Sequence, residues 1–398
     1  MIKKQMLYGA SSWPTSYGFY SSSCAAKSFF TLKGRELWKL PEKNHEIQCM
    51  ITGRNGETII AFKKKLICIT RDGNVIWEDT SSPNYDSLIM LGENRFVGVE
   101  QGGRLLSCRN VITGNILWSK EIRTWYMVDL SVTPDNDIIV GHIKNNTTKE
   151  ILKFNSSGEL LWSYPLNDAY TFPPLVLEDT IIFNEKSNFK AINSNGKFLW
   201  KTIDEEFVFD EDIPYDVSNG YITTPPMKLS KNQFLVGVNS NEPEKLLVFD
   251  INKYTTKPFA VEQYFERRMP LSVCISRRKG GFLLASTTEK KGYNYWENTL
   301  LAISLNEKIL WKRNVPTKPA KILSDKRGNV LVISSPSIEY WKKYKDAYNL
   351  IQDCYIKGYN AKGKEIFFWQ APEPIINLTI GVKGEIIVAL LNHIVSIE

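Results

Sequence analysis

The amino-acid sequence predicts an all-β protein, an eight-bladed β-propeller of four-stranded antiparallel blades. Two repeated patterns lead to this prediction. A turn, a glycine, a short apolar stretch and a tryptophan recur along the chain, as in NSNGKFLWKT at residues 193–202. A polar turn followed by a short apolar run recurs in step with it. Repeats of about 40 residues are typical of four-stranded blades arranged around an axis.

The first pattern ends in an aromatic residue at nearly every copy. The copies are GRELW at Trp38, GNVIW at Trp77, GNILW at Trp118, GELLW at Trp162, GKFLW at Trp200, EKILW at Trp311 and GKEIFFW at Trp369, with the degenerate TTKPF at Phe259. We expect the glycine to take a positive φ in the turn between the third and fourth strands of each blade. The tryptophans are predicted structural docking residues that pack between neighbouring blades.

The second pattern gives the same number of blades independently. Its copies are NGETIIAF, ENRFVGV, DNDIIVG, EDTIIF, KNQFLVGV, GGFLLAS, RGNVLVIS and KGEIIVAL. Turn residues between β-branched runs are hairpin signals. About ten residues before several tryptophans a small or modest side chain recurs, at Cys68, Cys108, Ala191 and Ala302. Alternating large and small side chains would let the sheets pack face to face.

The copy CRNVITGNILW, residues 108–118, resembles the tryptophan-docking motif of the quinoprotein-type (PQQ-like) propeller repeat. The resemblance extends over nearly the whole chain. It implies an eight-bladed propeller similar to quinoprotein dehydrogenases and to the outer-membrane assembly propeller lipoprotein, and we expect a bacterial protein. The dehydrogenases hold their cofactor against an adjacent-cysteine disulfide and use calcium. This chain has no Cys-Cys pair and no matching calcium motif, so we expect a non-dehydrogenase member without a cofactor.

The repeats predict one propeller domain over residues 31–398, preceded by an extension at residues 1–30. The last unit, KGEIIVALLNHIVSIE, stops before its tryptophan, whereas Trp38 has no complete unit before it. We therefore predict that a strand at residues 34–40 completes the C-terminal blade and leaves no open sheet edge. Residues 1–30 either lie across one face or the channel mouth, or are disordered.

Composition narrows the class of protein. The 50 basic and 43 acidic residues give a net charge of +7, and the lysines are scattered, so we expect no nucleic-acid partner. No stretch approaches ~18 consecutive apolar residues, which predicts no membrane span. The N-terminus lacks the apolar run of a secretion signal, which favours the cytoplasm. The six cysteines form no CxxC pair and are predicted to be small buried side chains, and we expect no metal site.

Two insertions depart from the regular repeat. STTEKKGYNYWENT and SSPSIEYWKKYKDAYNLIQD fall between the second and third strands of neighbouring units. Both should project side by side from the face opposite the glycine turns. Aromatic residues beside lysines are common anchors of binding sites. The candidate binding residues are Tyr293, Tyr295, Trp296, Trp341, Tyr344 and Tyr348. The alternative is that these aromatics only cap their own blades.

The connection DEEFVFDEDIPYD is strongly acidic and by the same geometry opens onto that face. Its candidate binding residues are Asp204, Glu205, Asp210 and Asp212, and its other carboxylates are Glu206, Glu211 and Asp216. The connection could be a solvated loop, could dock a basic partner, or could pair with Arg267, Arg268, Arg277, Arg278 and Lys279. Its spacing lacks the pattern of a calcium loop.

The sequence favours a non-catalytic role. It contains no GxSxG elbow, Walker loop or HExxH motif, and we assign no catalytic residue. We predict a protein-protein interaction platform whose partner is another protein, contacted through the face that carries the aromatic, basic and acidic segments. The alternative is a small ligand, for example a carbohydrate, bound or processed at the channel mouth.

Overall fold

The computed structural model describes residues 29–41, 47–81, 85–92, 94–100, 104–124, 130–144, 148–168, 172–185, 188–203, 206–211, 221–222, 226–239, 245–259, 270–276, 282–290, 296–316, 321–336, 341–342 and 350–398. They belong to two compact units. The first unit takes its described residues from 83–264, and the second takes its own from 29–82 and 265–398. Residues 1–28 of the predicted extension lie outside the described residues, and the single domain predicted for 31–398 stays a prediction.

The described chain is built from β-strands. In chain order they are β1 (Glu36–Pro41), β2 (Ile47–Thr52), β3 (Thr58–Phe62), β4 (Leu66–Ile69), β5 (Val75–Asp79), β6 (Tyr85–Leu91), β7 (Arg95–Glu100), β8 (Leu105–Asn110), β9 (Ile116–Glu121), β10 (Ser131–Val132), β11 (Ile138–Lys144), β12 (Thr148–Phe154), β13 (Leu160–Leu166), β14 (Leu175–Leu177), β15 (Thr180–Glu185), β16 (Asn188–Asn193) and β17 (Phe198–Ile203). They continue with β18 (Glu206–Val208), β19 (Tyr221–Ile222), β20 (Met227–Lys228), β21 (Gln233–Asn239), β22 (Lys245–Asp250), β23 (Thr255–Pro258), β24 (Pro270–Ser276), β25 (Phe282–Lys290), β26 (Trp296–Ser304), β27 (Ile309–Val315), β28 (Lys321–Ser324), β29 (Val330–Ser334), β30 (Tyr355–Tyr359), β31 (Glu365–Gln370), β32 (Ile375–Ile380), β33 (Ile386–Leu390) and β34 (His393–Ile397), with a 3-10 turn at Leu350–Asp353 before β30.

Within the described residues, each unit contains four antiparallel sheets. The first unit has β6–β9, β10–β13, β14–β18 and β19–β23, and the second has β2–β5, β24–β27, β28–β31 and a sheet in the order β1-β34-β33-β32. Strand β1 pairs antiparallel with β34, with Glu36 opposite Ile397 and Leu40 opposite Ile394. Strand β18 is a fifth strand outside β17, a position at which the sequence predicted a loop on one face.

The register explains why a small side chain precedes the tryptophans. Each small residue on the third strand is the direct cross-strand partner of the tryptophan on the fourth. The pairs are Cys68 with Trp77, Cys108 with Trp118, Ala191 with Trp200 and Ala302 with Trp311. A small partner leaves room for the indole on the same face of the sheet.

The register also corrects the assignment of two repeat units. In β28–β31 the residue opposite the small Gly358 is Phe367, and Trp369 lies two residues further along β31, opposite Ile356. In β19–β23 the equivalent position is taken by Lys257, opposite Val248, and the buried Phe259 lies just beyond β23. The sequence placed the docking aromatic at Trp369 and Phe259 because each is the last aromatic residue of its repeat. The cross-strand pairing, which decides the position, cannot be read from the sequence.

A bulge recurs on the fourth strand, at the residue just before the aromatic side chain that pairs with the third strand. Seven of the eight sheets in the described chain show this one-residue shift, at Leu37, Ile76, Leu117, Leu161, Leu199, Leu310 and Ile366. Bulges twist an edge strand and interrupt its hydrogen-bonding row, which opposes pairing with another chain. The bulged side chains are exposed except Leu199, whose strand β17 is bordered by β18.

Apolar clusters between adjacent sheets form the core of each unit. In the first unit, Leu106, Val140 and Ile151 belong to a cluster that joins three successive sheets. In the second unit, Val332, Ile356 and Val388 belong to a cluster that also includes Phe30 from the segment before β1. Strand residues on both faces are buried in β3, β4 and β33, as expected for sheets packed on both sides.

Candidate functional site

The third-to-fourth-strand turns define one end of each sheet, here called the turn end. An asparagine opens the turn at Asn155, Asn193 and Asn360, and its side-chain oxygen accepts from main-chain amides two and four residues later. Such side-chain to backbone bonds stabilise tight turns. In an antiparallel meander the second-to-third-strand connection and the link to the next sheet lie at the opposite end, here called the loop end.

Tryptophans fix neighbouring sheets to each other at the turn end. Each indole N–H donates to a main-chain carbonyl in the turn of the next sheet, from Trp38 to Arg71 at 2.8 Å, Trp118 to Ser156 at 3.2 Å, Trp162 to Ser194 at 2.9 Å and Trp311 to Ala361 at 3.1 Å. The four rings lie beneath the turn glycines Gly73, Gly158, Gly196 and Gly363. In the first unit these contacts join β6–β9, β10–β13 and β14–β18, so the loop ends of those three sheets lie on one side.

A group of buried charged side chains lies toward the loop end in the first unit. We call Tyr164, Glu185, Lys190, Lys201 and Glu211 the lysine–glutamate cluster. Lys190 on β16 and Lys201 on β17 are direct cross-strand partners and are 3% and 2% exposed. Successive strand residues point to opposite faces. Both lysines therefore lie on the face opposite Ala191 and Trp200.

Glu185 and Glu211 make different contacts in the cluster. Glu185 is 1% exposed; its Oε2 lies 3.3 Å from Lys190 Nζ, and its Oε1 accepts from the main-chain amides of Asn167 at 2.7 Å and Asp168 at 3.3 Å. Glu185 therefore holds the connection that follows β13. Glu211 has a 44% exposed side chain, and its Oε1 lies 3.7 Å from Lys190 Nζ.

Three donors converge on Glu211. The Tyr164 hydroxyl donates to its Oε1, Lys190 approaches the same oxygen, and Lys201 Nζ donates to its main-chain carbonyl at 2.7 Å. Lys190 Nζ also lies 5.4 Å from the centre of the Tyr164 ring, within cation–π range. Charge-assisted hydrogen bonds of this kind are stronger than neutral ones. The cluster therefore fixes one end of the segment formed by residues 206–211.

We call residues 206–211 the acidic segment. Aromatic residues hold the part of it that the cluster does not contact. Phe207 packs edge-on against Trp200 at 4.7 Å between ring centres and against Tyr254 at 5.7 Å. Phe209 is 54% exposed and contacts Tyr254, itself 48% exposed, at 4.8 Å. Glu206 and Asp210 are exposed beside them. The acidic segment thus presents an apolar patch with carboxylates around it.

This arrangement revises the predicted acidic site. The described part of the segment runs along the outer edge of its sheet as β18, and Glu211 pairs with Lys190 in the same sheet. The sequence proposed basic partners at 267, 268 and 277–279, which lie outside the described residues. Of the candidate binding residues, Asp210 is exposed, while Asp204, Glu205 and Asp212 lie outside the described residues.

The second unit contains the two predicted aromatic insertions. The first is an extension of the β25–β26 hairpin, in which Lys290 pairs with Trp296. In the second, Trp341 packs partly buried against the core cluster of its unit, which agrees with a capping role for this residue. The remaining candidates, Tyr293, Tyr295, Tyr344 and Tyr348, lie outside the described residues, and the structure describes Trp296 only as part of β26.

A second polar group lies at the loop end of the sheet β1-β34-β33-β32. His393 Nδ1 and Glu373 Oε1 are 2.8 Å apart, and the Glu373 carboxylate also accepts from the main-chain and side-chain nitrogens of Asn392. These bonds fasten the β33–β34 turn. Nearby, burial raises the pKa of the Cys354 thiol to about 12, with Asp353 and Glu373 adding to the effect.

The described residues contain neither a metal-binding group nor a membrane-spanning helix. No group of three or more His, Cys, Asp or Glu side chains among them could hold a metal ion. No helix in the described part of the chain is long and apolar enough to cross a membrane. Among the described residues, Cys49, Cys68, Cys108 and Cys354 are buried thiols that form no disulfide.

Comparison with known proteins defines the class of fold. No protein-family model matches the chain, and no curated protein sequence matches it. Among solved structures, the chain is similar to the Dos1 propeller, with a TM-score of 0.58 and 10% sequence identity over 91% of this chain and 94% of that one. It is also similar to Hsv2 of Kluyveromyces lactis, with a TM-score of 0.50 and 10% identity over 82% of this chain and 98% of that one. A form of KlHsv2 with loop 6CD replaced by a Gly-Ser linker gives a TM-score of 0.50 and 11% identity, covering 82% of this chain and 98% of that one. The all-β chain has a β-propeller fold.

The sequence pattern alone did not indicate Tyr164, Lys190 or Lys201. A signal was present in the repeats, because the position just before the small partner is Ile67, Ser107 and Leu301 in three other sheets and Lys190 here. Lys357 takes the same position before Gly358, but it lies opposite Phe368, whereas Lys190 lies opposite a second lysine, Lys201. This difference becomes visible only after the strands are aligned by their cross-strand pairing.

Proposed function

We propose that this protein is a non-catalytic platform for binding another protein, and that the acidic segment forms part of the contact surface. We also propose that its eight sheets are the blades of one PQQ-like propeller, closed in the sheet that combines β1 with β32–β34. The pairing of β1 with β34 and the tryptophan contacts at the turn ends support this closed arrangement.

The observation that carries the proposed role is the exposed pair Phe209 and Tyr254. Large aromatic side chains are enriched at the energetic centres of protein interfaces. Phe209 is held in place from both sides, because Phe207 packs on Trp200 and Glu211 is bonded by the lysine–glutamate cluster. A surface that is already ordered loses less conformational entropy on binding than a mobile one.

The charges around this pair indicate the chemistry of the partner. Glu206 and Asp210 flank the aromatics with exposed carboxylates. Complementary charge steers encounter and discriminates against wrong partners. We therefore expect a partner surface with an apolar side chain flanked by lysine or arginine.

Site-specific photocrosslinking tests this role. A photoreactive phenylalanine analogue replaces Phe209 in one sample and Ile112, an exposed apolar residue far along the chain, in a control sample. In lysate of the source organism, position 209 should yield an adduct that position 112 does not. Phe209→Ala in purified protein should then weaken binding of that partner by roughly 5- to 30-fold. Equal adducts at both positions, or unchanged affinity of Phe209→Ala, would contradict the role.

A further inference from the structure

The lysine–glutamate cluster has the composition of a ligand site. Two lysines are almost fully buried and directly opposite each other, although like charges opposite each other in a sheet are destabilising. Burying an ammonium group is unfavourable unless it is well paired, and apolar residues of similar size often serve stability as well or better. The fold does not require a lysine here, since equivalent positions are Ile67, Ser107 and Leu301.

The two carboxylates beside Lys190 are not equivalent. Glu185 is enclosed, and both of its oxygens are engaged with the sheet and with the connection after β13. Glu211 belongs to a segment outside the sheet core, and its side chain is 44% exposed. The position of its carboxylate is therefore reachable from solvent, while the donors that bind it are buried.

We propose that Tyr164, Lys190 and Lys201 form a binding site for a carboxylate ligand, and that Glu211 of the chain itself occupies this site in the structure. The ligand's carboxylate would take the place of the Glu211 carboxylate, accepting from the Tyr164 hydroxyl and pairing with Lys190. Lys201, which donates to the Glu211 carbonyl, lies opposite Lys190 and adds a second positive charge. This inference does not depend on the protein-binding role.

Exchange of Glu211 would act on the acidic segment. Glu211 is the point at which the cluster fixes residues 206–211, so a bound carboxylate would release that end while Phe207 remains packed on Trp200. A ligand shifts such an equilibrium only by its differential affinity for the released state. The site therefore couples a carboxylate ligand to the position of Phe209.

Removal of the internal carboxylate tests the site. Glu211→Ala should lower the melting temperature, and acetate should raise it again by roughly 2–4 °C relative to chloride at equal ionic strength. The double variant Lys190→Met/Glu211→Ala should show no acetate-dependent rise. Glu206→Ala, which removes an exposed carboxylate of the same segment, is the matched control and should respond to acetate as the wild type does.

Several outcomes would overturn the proposal. They are no acetate-specific rise in Glu211→Ala, an equal rise in Glu206→Ala, or an undiminished rise in the double variant. If the alanine variant does not fold, Glu211→Ser gives the same comparison, because it also removes the carboxylate and leaves its place open.

Hydrogen exchange on the wild-type protein separates the sources of the carboxylate. Succinate represents a free small acid, and a glutamate-containing peptide with both ends blocked represents a protein side chain. The effective probe should increase amide exchange in residues 206–211 at saturation, and the probe that acts at lower concentration identifies the source. If neither probe changes exchange in this segment, Glu211 is not replaceable and the proposal fails.

Discussion

The ring of Trp162 lies against Gly196, so that a β-carbon added to this glycine would come within 2.9 Å of the indole Cδ2. Gly196 also has a φ of 77°, in the left-handed region. The glycine of the repeat thus meets two requirements, a backbone conformation within its own turn and an open surface for the tryptophan of the preceding sheet.

Gly196→Ala should therefore lower the free energy of unfolding by about 2–4 kcal/mol, the sum of the left-handed backbone term and overpacking against the indole. Urea denaturation measures the change. Gly92→Ala is the control, because Gly92 has a φ of 73° but no atom within 4 Å of an added β-carbon. It should lose only about 1 kcal/mol, and equal losses in the two variants would show that the indole contact adds nothing.

Phe207 should contribute mainly to the stability of the protein, whereas Phe209 should contribute mainly to binding. Phe207→Ala removes ring contacts with Trp200, Phe249 and Tyr254 and should destabilise the protein by about 2 kcal/mol, less than a fully buried phenylalanine. Phe209→Ala should change stability by less than about 1 kcal/mol because the side chain is mostly exposed. Thermal unfolding of both variants provides the comparison, and a larger loss at Phe209 would refute this division.

Asp325 should be among the most sensitive turn residues. It is fully buried, and its carboxylate accepts from the main-chain amides of Phe30, Arg327 and Asn329. Asp325→Ala leaves these donors without an acceptor and should cost about 2–4 kcal/mol. Asn193→Ala, in an exposed turn with two such bonds, should cost about 1 kcal/mol. Similar losses in denaturant titrations would mean that the link from Phe30 contributes little.

Stability should fall in alkaline solution because of buried thiols. Burial raises the pKa of Cys68 from 9.0 to about 12, and the charge of Glu57 adds to the shift. Between these values the unfolded chain has lost the proton that the folded chain still holds, so the free energy of unfolding decreases as pH rises. The contribution of this thiol to the free energy of unfolding is fully present below pH 9.0. Above that pH the free energy of unfolding should decrease by up to about 1.4 kcal/mol per pH unit.

Cys68→Ala tests the assignment of that decline. Below pH 9.0 the variant should be less stable than the wild type, because alanine fills less of the buried space than Cys68 does. Above pH 9.0 its free energy of unfolding should fall less steeply than that of the wild type. Urea titrations at a series of pH values give both slopes. Parallel profiles would assign the alkaline sensitivity to other groups, such as Tyr359, whose pKa burial raises to about 12.

The sequence predicted the fold class well because its repeats report local geometry. A glycine with positive φ, an asparagine that opens a turn and a small residue opposite a tryptophan each act within one hairpin, so short patterns reveal them. The docking positions assigned to Trp369 and Phe259 were wrong because the composition of a strand does not show which of its residues lies opposite the small residue or its equivalent on the third strand.

The candidate site was less predictable because it depends on contacts between separate strands. The acidic connection was visible as a run of carboxylates, but its partner Lys190 and the donor Tyr164 come from β16 and β13. Their approach depends on how adjacent sheets pack. The aromatic pair of Phe209 and Tyr254 likewise joins a connection to the turn of the next sheet.

The pairing of β1 with β34 has a consequence for biosynthesis. Glu36 leaves the ribosome long before its partner Ile397 exists, and at about 5–20 residues per second the interval is roughly 20–70 seconds. During that time Leu37, Trp38 and Leu40 have no sheet to join. This apolar strand must therefore avoid aggregation until its partner has been made, which makes residues 36–41 a natural stretch for a chaperone to hold until β34 emerges.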